Sequence, residues 1–316
     1  MTSSSLGEDL KKRDLSPVSC ETAEDQPLPL STAIVTIVGM GLMGGSLGKA
    51  LVKVGACKEV RALVRREKAA EEIVAIGAAH SAGTDPERIL EPADLVVLAT
   101  PVRTIEHQVS EIHRFVKPDS VITDMGSVKT GVVKAMDSLP MSIRAIGGHP
   151  MCGKETSGLA AAEPELFRNK VWVLTPSKNT DAGAMLLVQA MIKAVGARQI
   201  FMDAEAHDIV VSCVSHLPYV LAATLIGVAE DTAGERPEIW KLAAGGFRDT
   251  SRVASSDLTM MIDILAANRN NIVNMLGLAS SRIGRIAQLM IDSNEDDLRD
   301  MLAQIRDRRI GMFQTG

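Results

Sequence analysis

The histidine of Gly147-Gly148-His149-Pro150-Met151 follows a short apolar run, Ile143–Ile146, that reads as a strand. Two other polar stretches stand just past apolar runs in the same way: Ala99-Thr100-Pro101 and Asp124-Met125-Gly126-Ser127-Val128-Lys129. Glu155 lies a few residues beyond the histidine. In doubly wound α/β folds, sites form beyond the carboxyl ends of the strands, so these loops would meet. An imidazole exchanges its proton near neutral pH and can withdraw one from a hydroxyl. Ser127, one loop away, could orient the ring of His149 and give a hydroxyl–imidazole pair. The plainer reading is a structural histidine in a buried loop.

The second half of the chain adds another set. His207-Asp208 opens a long apolar run, and Ser215-His216 precede Pro218 within it. Gly245-Gly246-Phe247-Arg248-Asp249-Thr250-Ser251-Arg252 is a polar connection between apolar stretches. Arg248 and Arg252, with Asp249 between them, could bind an anionic substrate through guanidinium forks. An ordinary Arg–Asp ion pair closing a loop is the alternative. His80, His107 and His113 have no comparable setting and read as surface residues.

A cofactor is indicated near the start. The run Ala33–Ala50 reads as a buried strand, then Gly39-Met40-Gly41-Leu42-Met43-Gly44, then an apolar helix. Gly39 permits the tight turn, Gly41 lets a pyrophosphate approach the backbone, and Gly44 lets helix and strand pack closely. The free N–H groups and partial positive charge of the helix N-terminus would face the phosphates, with Leu42 and Met43 in its first turn. Thr100, past a later strand, belongs to the same expected cofactor site. The adenosine ribose is read about 20 residues further on, where an NAD site usually carries Asp or Glu. This chain has Arg65-Arg66-Glu67 there. Two guanidinium groups suit a 2′-phosphate, so NADP is favoured over NAD. Glu67, shifted by two, could still reach a ribose, and the arginines could simply be a solvated strand end.

The elements that must hold these residues follow from the hydrophobic periodicity. Apolar runs at 34–38, 60–64, 95–99, 121–123, 143–146 and 171–174 alternate with helical stretches at 44–54, 67–76, 105–115 and 129–138. Strands separated by helices imply parallel βαβ units. After Pro176 the pattern turns helical: 181–195, then 205–230 (apolar nearly all round and expected to be buried, with a kink at Pro218), then 257–291. Ser293-x-x-Asp296 resembles a capping box for a last helix over 297–309. The expected architecture is an α/β Rossmann-type doubly wound parallel sheet domain, residues 31–178, followed by an all-α dimerisation domain, residues 179–316. Residues 1–30 are polar, with Ser3–Ser5, Pro27 and Pro29, and read as a disordered tail. The long C-terminal pattern favours a homodimer over a monomeric bundle.

Composition excludes several classes. Aromatic residues are 3% and net charge is -5, which argues against a nucleic-acid partner. Cys20, Cys57, Cys152 and Cys213 fit neither a metal spacing nor a disulfide framework. No metal is expected. No apolar run reads as membrane-spanning and no secretory segment is evident, so a cytoplasmic protein is expected.

Taken together, IVGMGLMGGSLGKAL, VLATPV, VITDMGSVK, GGHPMCGKETSG, HD followed by SHLPY, and GGFRDTSRVASSD resemble the prephenate and arogenate dehydrogenases of tyrosine biosynthesis, in that family's order and over residues 34–316. The resemblance implies oxidative decarboxylation of a cyclohexadiene ring, with hydride passing to the nicotinamide. It implies that His149 accepts the proton of the 4-hydroxyl with help from Ser127, and that Arg252 binds the substrate carboxylate. Asp249 and Glu155 would hold Arg252 and gate access, and His216 would support the site from the helix kink. Members often read SHLPH; here Tyr219, the only tyrosine, takes the place of a histidine associated with substrate binding. NADP preference occurs among arogenate-using members, which leans the expectation toward arogenate. Rival readings are a hydroxyacid or imine dehydrogenase of the same architecture, and a dinucleotide-sensing dimer without turnover. The hydroxyacid enzymes usually centre on a helix lysine, and Lys178, Lys193 and Lys241 lie outside any such motif.

Overall fold

The computed structural model describes residues 28–313. The expected tail therefore lies outside the described residues, except for its last three. Of these, Leu30 starts a 3-10 turn and is buried in the core.

The first part alternates strand and helix: β1 (Ile34–Val38), α1 (Leu42–Val54), β2 (Glu59–Leu63), α2 (Glu67–Ala75), β3 (Ser81–Gly83), α3 (Pro86–Leu90), β4 (Leu95–Leu98), α4 (Val102–Ile112), β5 (Val121–Asp124), α5 (Thr130–Met136), β6 (Arg144–Pro150), β7 (Val171–Pro176), α6 (Ala182–Ala194) and β8 (Arg198–Phe201). They form one sheet in the order β3-β2-β1-β4-β5-β6-β7-β8. The reversal of order between β1 and β4 is the switch point at which such folds bind ligands. Both faces are covered. On β4, Leu95 and Val97 enter the core with α1 and α6, while Val96 and Leu98 pack against α4 and α5. A strand buried on both sides must be apolar throughout, as LVVL is.

Three features depart from the expectation of an all-parallel sheet ending near 178. β7 runs antiparallel to β6, pairing Gly148 with Leu174 and His149 with Val173. β8 then pairs parallel with β7, so the α/β part runs to Phe201. β6 itself extends to Pro150, which places His149 on a paired strand rather than in a loop after it. The antiparallel hydrogen bonds to β7 explain this, because they stabilise two Gly residues that otherwise weaken a strand.

The helical part comprises α7 (Ala204–Val211), a π-helical turn (Ser212–His216), α8 (Leu217–Ala233), α9 (Ile239–Leu242), α10 (Gly245–Ser251), α11 (Leu258–Ala267), α12 (Arg269–Ile291) and α13 (Glu295–Phe313). A π-helical turn stands directly ahead of Pro218, which sits in the first turn of α8. The run 257–291 is broken at Asn268, whose side-chain amide is drawn to the carbonyl of Asp208 at 2.7 Å. The last helix is capped by Asn294, whose Oδ1 accepts from the amide of Asp297 at 3.2 Å. Ser293 has φ 54° and cannot act as the expected extended cap.

The expectation of a wholly buried 205–230 helix fails for the single chain. Val214 and Val228 are 60% and 58% exposed, and Leu278 and Ile283 on α12 are similarly open. The continuous helical path Ala204–Ala233 is also long and apolar enough to cross a membrane by composition, contrary to the expectation that no run is. Its buried face, however, carries His207, Asp208, Ser212 and His216. Polar groups of this kind are tolerated where protein partners satisfy them, and α7 finds such partners on α5 and β6.

Candidate active site

β1 leaves the sheet through Gly39, at φ 91°, a conformation that favours glycine. A Cβ on Gly44 would collide with the carbonyl of Gly39, so turn and helix touch only because Gly44 has none. A Cβ on Gly41 would meet nothing within 4 Å, which leaves the backbone open to an approaching group. No side chain caps the start of α1. The first-turn amides are thus free to receive a pyrophosphate, and the residues fit a dinucleotide.

The segment between β6 and β7 folds back over α1. The amide of Glu163 donates to Ser46 Oγ at 3.0 Å, and Lys49 Nζ donates to the carbonyl of Ala162 at 2.9 Å. Between this strap and the helical part runs a cleft of about 580 Å3. Gly41, Leu42, Met43, Thr100, Ser127, His149, Glu155, Ser215, Tyr219 and Arg252 all line it. Met125, Met151, Met260, Met261 and Ile264 give it an apolar wall.

The remaining expected site residues lie elsewhere. Gly39 and Gly44 shape the turn from behind. Arg65 and Arg66 are exposed beyond β2, and among the described residues neither is ion-paired. His216 is fully buried behind the cleft, with Nδ1 3.2 Å from Asn268 Nδ2 and a pKa pushed down to about 4 by burial. The arginine network also differs from the expected one. Arg252 pairs with Glu155, whereas Asp249 turns to Arg248 at 3.3 Å, both outside the cleft.

The ring partner of His149 was not the expected one. His149 Nδ1 stands 2.9 Å from His207 Nε2, and His207 Nδ1 stands 2.8 Å from Asp208 Oδ1. Ser127 lines the same cleft without bonding to the ring. Asp208 also accepts from the amides of Lys129 at 2.7 Å and Thr130 at 2.8 Å, so it caps α5 from the other domain. Beneath lies a second polar layer. Lys129 is fully buried, pairs with Asp124 and donates to the carbonyl of Gly148 at 2.8 Å. Asp124 in turn accepts from the amides of Gly126 at 2.7 Å and Gly148 at 3.0 Å. The peptide preceding His149 is therefore held from both sides.

Burial, with His207, Lys129 and His216 nearby, sets the pKa of His149 well below its usual value, so its ring is neutral at pH 7. Burial works against ionisation of Asp208, but the hydrogen bonds from His207, Thr130 and the Lys129 amide hold its carboxyl below the usual range. Cys152, on the cleft wall, is pushed up to about 11 by burial and stays a thiol. Of the polar groups just described, Lys129, Asp124, His207 and Asp208 stand in stretches that the sequence marks as polar, but the sequence assigns none of them a role. The one available signal was their place in the same polar stretches.

A glycine turn at the switch point, a neutral imidazole facing it and a helical second domain define a two-domain, nucleotide-binding oxidoreductase. Residues 47–201 match the family model described as prephenate dehydrogenase, nucleotide-binding domain, and residues 203–304 match prephenate dehydrogenase, dimerization domain. The chain belongs to the prephenate dehydrogenase family, as its motif set implied. The prephenate dehydrogenase of Bacillus subtilis is 31% identical over 280 residues, covering 88% of this chain and 76% of that protein. The structure of a prephenate dehydrogenase from A. aeolicus, in complex with hydroxyphenyl propionate and NAD+, superposes with a TM-score of 0.82 at 30% identity, over 90% of this chain and 99% of that one. A Synechocystis arogenate dehydrogenase gives 0.76 at 28% identity, over 88% and 99%.

Proposed function

We propose that this chain catalyses the NAD(P)-dependent oxidative decarboxylation of prephenate or arogenate. The observation that carries the reading is that one cleft brings together the glycine turn, a neutral buried imidazole and an arginine. His149 accepts the proton of the ring 4-hydroxyl, Ser127 contacts the same hydroxyl, and Arg252 binds a carboxylate. The cofactor, when bound, supplies the hydride acceptor. Loss of CO2 and the hydride leaves an aromatic ring, so the protein need only orient the substrate, hold one base unprotonated and exclude water. The methionine wall and the strap serve the last purpose.

NADP is the favoured cofactor. Arg65 and Arg66 are free among the described residues to grip a 2′-phosphate, while the carboxylate of Glu67 is engaged by the Thr84 hydroxyl. Initial rates with prephenate and arogenate, each with NAD and NADP at equal concentration, test both points. Turnover of one substrate with a higher kcat/KM for NADP is expected. No turnover of either would remove the activity, and a clear NAD preference would remove the cofactor assignment.

The chain is further proposed to act as a homodimer in the cytoplasm. The exposed apolar residues of α8 and α12 supply a surface of the kind that monomers rarely leave open. Sedimentation equilibrium should return twice the 33.7 kDa chain mass; a monomer at micromolar concentration would refute it.

A further inference from the structure

The contacts behind His149 carry a consequence for its proton. We propose that Asp208 and His207 are positioning residues that fix the tautomer of His149, leaving Nε2 bare. The inference rests on the reading of His149 as the base.

Two backbone amides, of Lys129 and Thr130, already donate to the two oxygens of Asp208, and a third donor, His207 Nδ1, reaches Oδ1 at 2.8 Å. An ionised carboxylate only accepts, so His207 must carry its proton on Nδ1. In the neutral ring Nε2 of His207 is then bare and must accept. The atom facing it at 2.9 Å is His149 Nδ1, which therefore donates. His149 is neutral, so its one proton is spent in that bond, and Nε2 is the nitrogen left to take a proton from a hydroxyl. The order of donors along the chain Asp208–His207–His149 admits no other arrangement while both rings are neutral. None of the three residues is more than 8% exposed, so water does not supply substitute partners.

The same carboxylate caps α5 from the helical domain, so the relay exists only while the two domains are docked. An asparagine at 208 breaks it in a defined way. If its amide nitrogen replaces Oδ1, it donates to His207 Nδ1, reverses that ring, and leaves the Lys129 amide facing a donor. If it replaces Oδ2, the Thr130 amide faces a donor. Either orientation disturbs the cap, and the first leaves His149 with its proton on Nε2. His207→Gln differs, because a glutamine can present its oxygen to His149 Nδ1 and its nitrogen to Asp208. It should keep the tautomer that His207→Leu loses.

The experiment combines kinetics with 15N NMR of histidine-labelled full-length protein. Two-bond N–H couplings report which ring nitrogen is protonated, and His149→Asn assigns the signal. The wild type should show His149 protonated on Nδ1. His207→Leu, and Asp208→Asn where its His149 signal moves to Nε2, should lower kcat by at least about 100-fold, with KM and nucleotide affinity within a few-fold of wild type. His207→Gln should recover at least about tenfold of the loss. Unchanged nucleotide affinity shows that the variants fold. If His149 in the wild type is protonated on Nε2, the relay is overturned and the base reading falls with it, because the ring then has no bare nitrogen for the hydroxyl proton. If His207→Leu keeps wild-type kcat while His149→Asn is dead, the relay is overturned and the base reading stands. If His149→Asn is itself active, the base reading falls and the relay with it. Equal losses in His207→Gln and His207→Leu would also count against the relay, because a merely space-filling His207 predicts them.

Discussion

Replacing His149 with asparagine should reduce kcat by roughly 10²–10⁴-fold, the usual worth of a positioned proton acceptor. Nucleotide affinity should be little changed, because the glycine turn and α1 bind the dinucleotide without it. The pH profile carries the diagnostic part. His149 acts in its neutral form, and burial together with the charges of its neighbours sets its pKa well below the usual value of 6.5. The active fraction is therefore complete at neutral pH. It falls only as pH drops through that depressed pKa, so kcat/KM should be flat near pH 7 and decline well on the acid side. The asparagine variant should lose this acid limb along with its rate. A variant that keeps both its rate and the limb would exclude the role. Arg252→Ala should behave differently. Its side chain is 60% exposed and its partner Glu155 is 38% exposed, so its contact with a carboxylate is partly solvated. An effect of about 1.4 kcal/mol, tenfold, is expected mainly in KM. A loss confined to kcat would show that Arg252 does not bind ground-state substrate.

The contrast between these two residues reflects what the sequence could and could not display. The glycine turn was legible because its requirements are local. A left-handed φ at Gly39 and a close approach at Gly44 each demand a residue type, and the flanking strand and helix have clear periods. Arg252 and Glu155 were legible only through the shared motif set, since nothing in their spacing says that residues 97 apart will pair. The partner of His149 was misassigned to Ser127 for the same reason. His207 lies on a helix 58 residues away, and only the docking of α7 against α5 and β6 brings it to the ring. Short edge elements were missed on other grounds. β3 is Ser-Ala-Gly and β8 is Arg-Gln-Ile-Phe, neither of which offers a continuous apolar run. The apolar surface of α8 was over-read as core because a period of 3.6 cannot tell an interior from an interface between chains.

The second large effect expected is on stability. Lys129→Met removes the one cation that pairs with Asp124 among the described residues, and both side chains are fully buried. Burial presses the pKa of Lys129 down and Asp124 beside it holds it up. Without the lysine, the carboxylate remains in a site that water does not reach, still bonded to two amides. Removing one partner of a buried pair typically costs about 3–5 kcal/mol, most of it the penalty on the charge left behind. The carbonyl of Gly148 also loses its donor. The urea midpoint should therefore fall sharply at fixed protomer concentration, with m unchanged. Adding Asp124→Asn removes the charge and keeps an acceptor for one of the two amides, Gly126 or Gly148, and should recover about 1–2 kcal/mol. A single variant as stable as wild type, or a double variant less stable than the single, would contradict this account. Activity should fall with stability in the single variant, because the Gly148 peptide that Lys129 and Asp124 hold is the one that sets the position of His149.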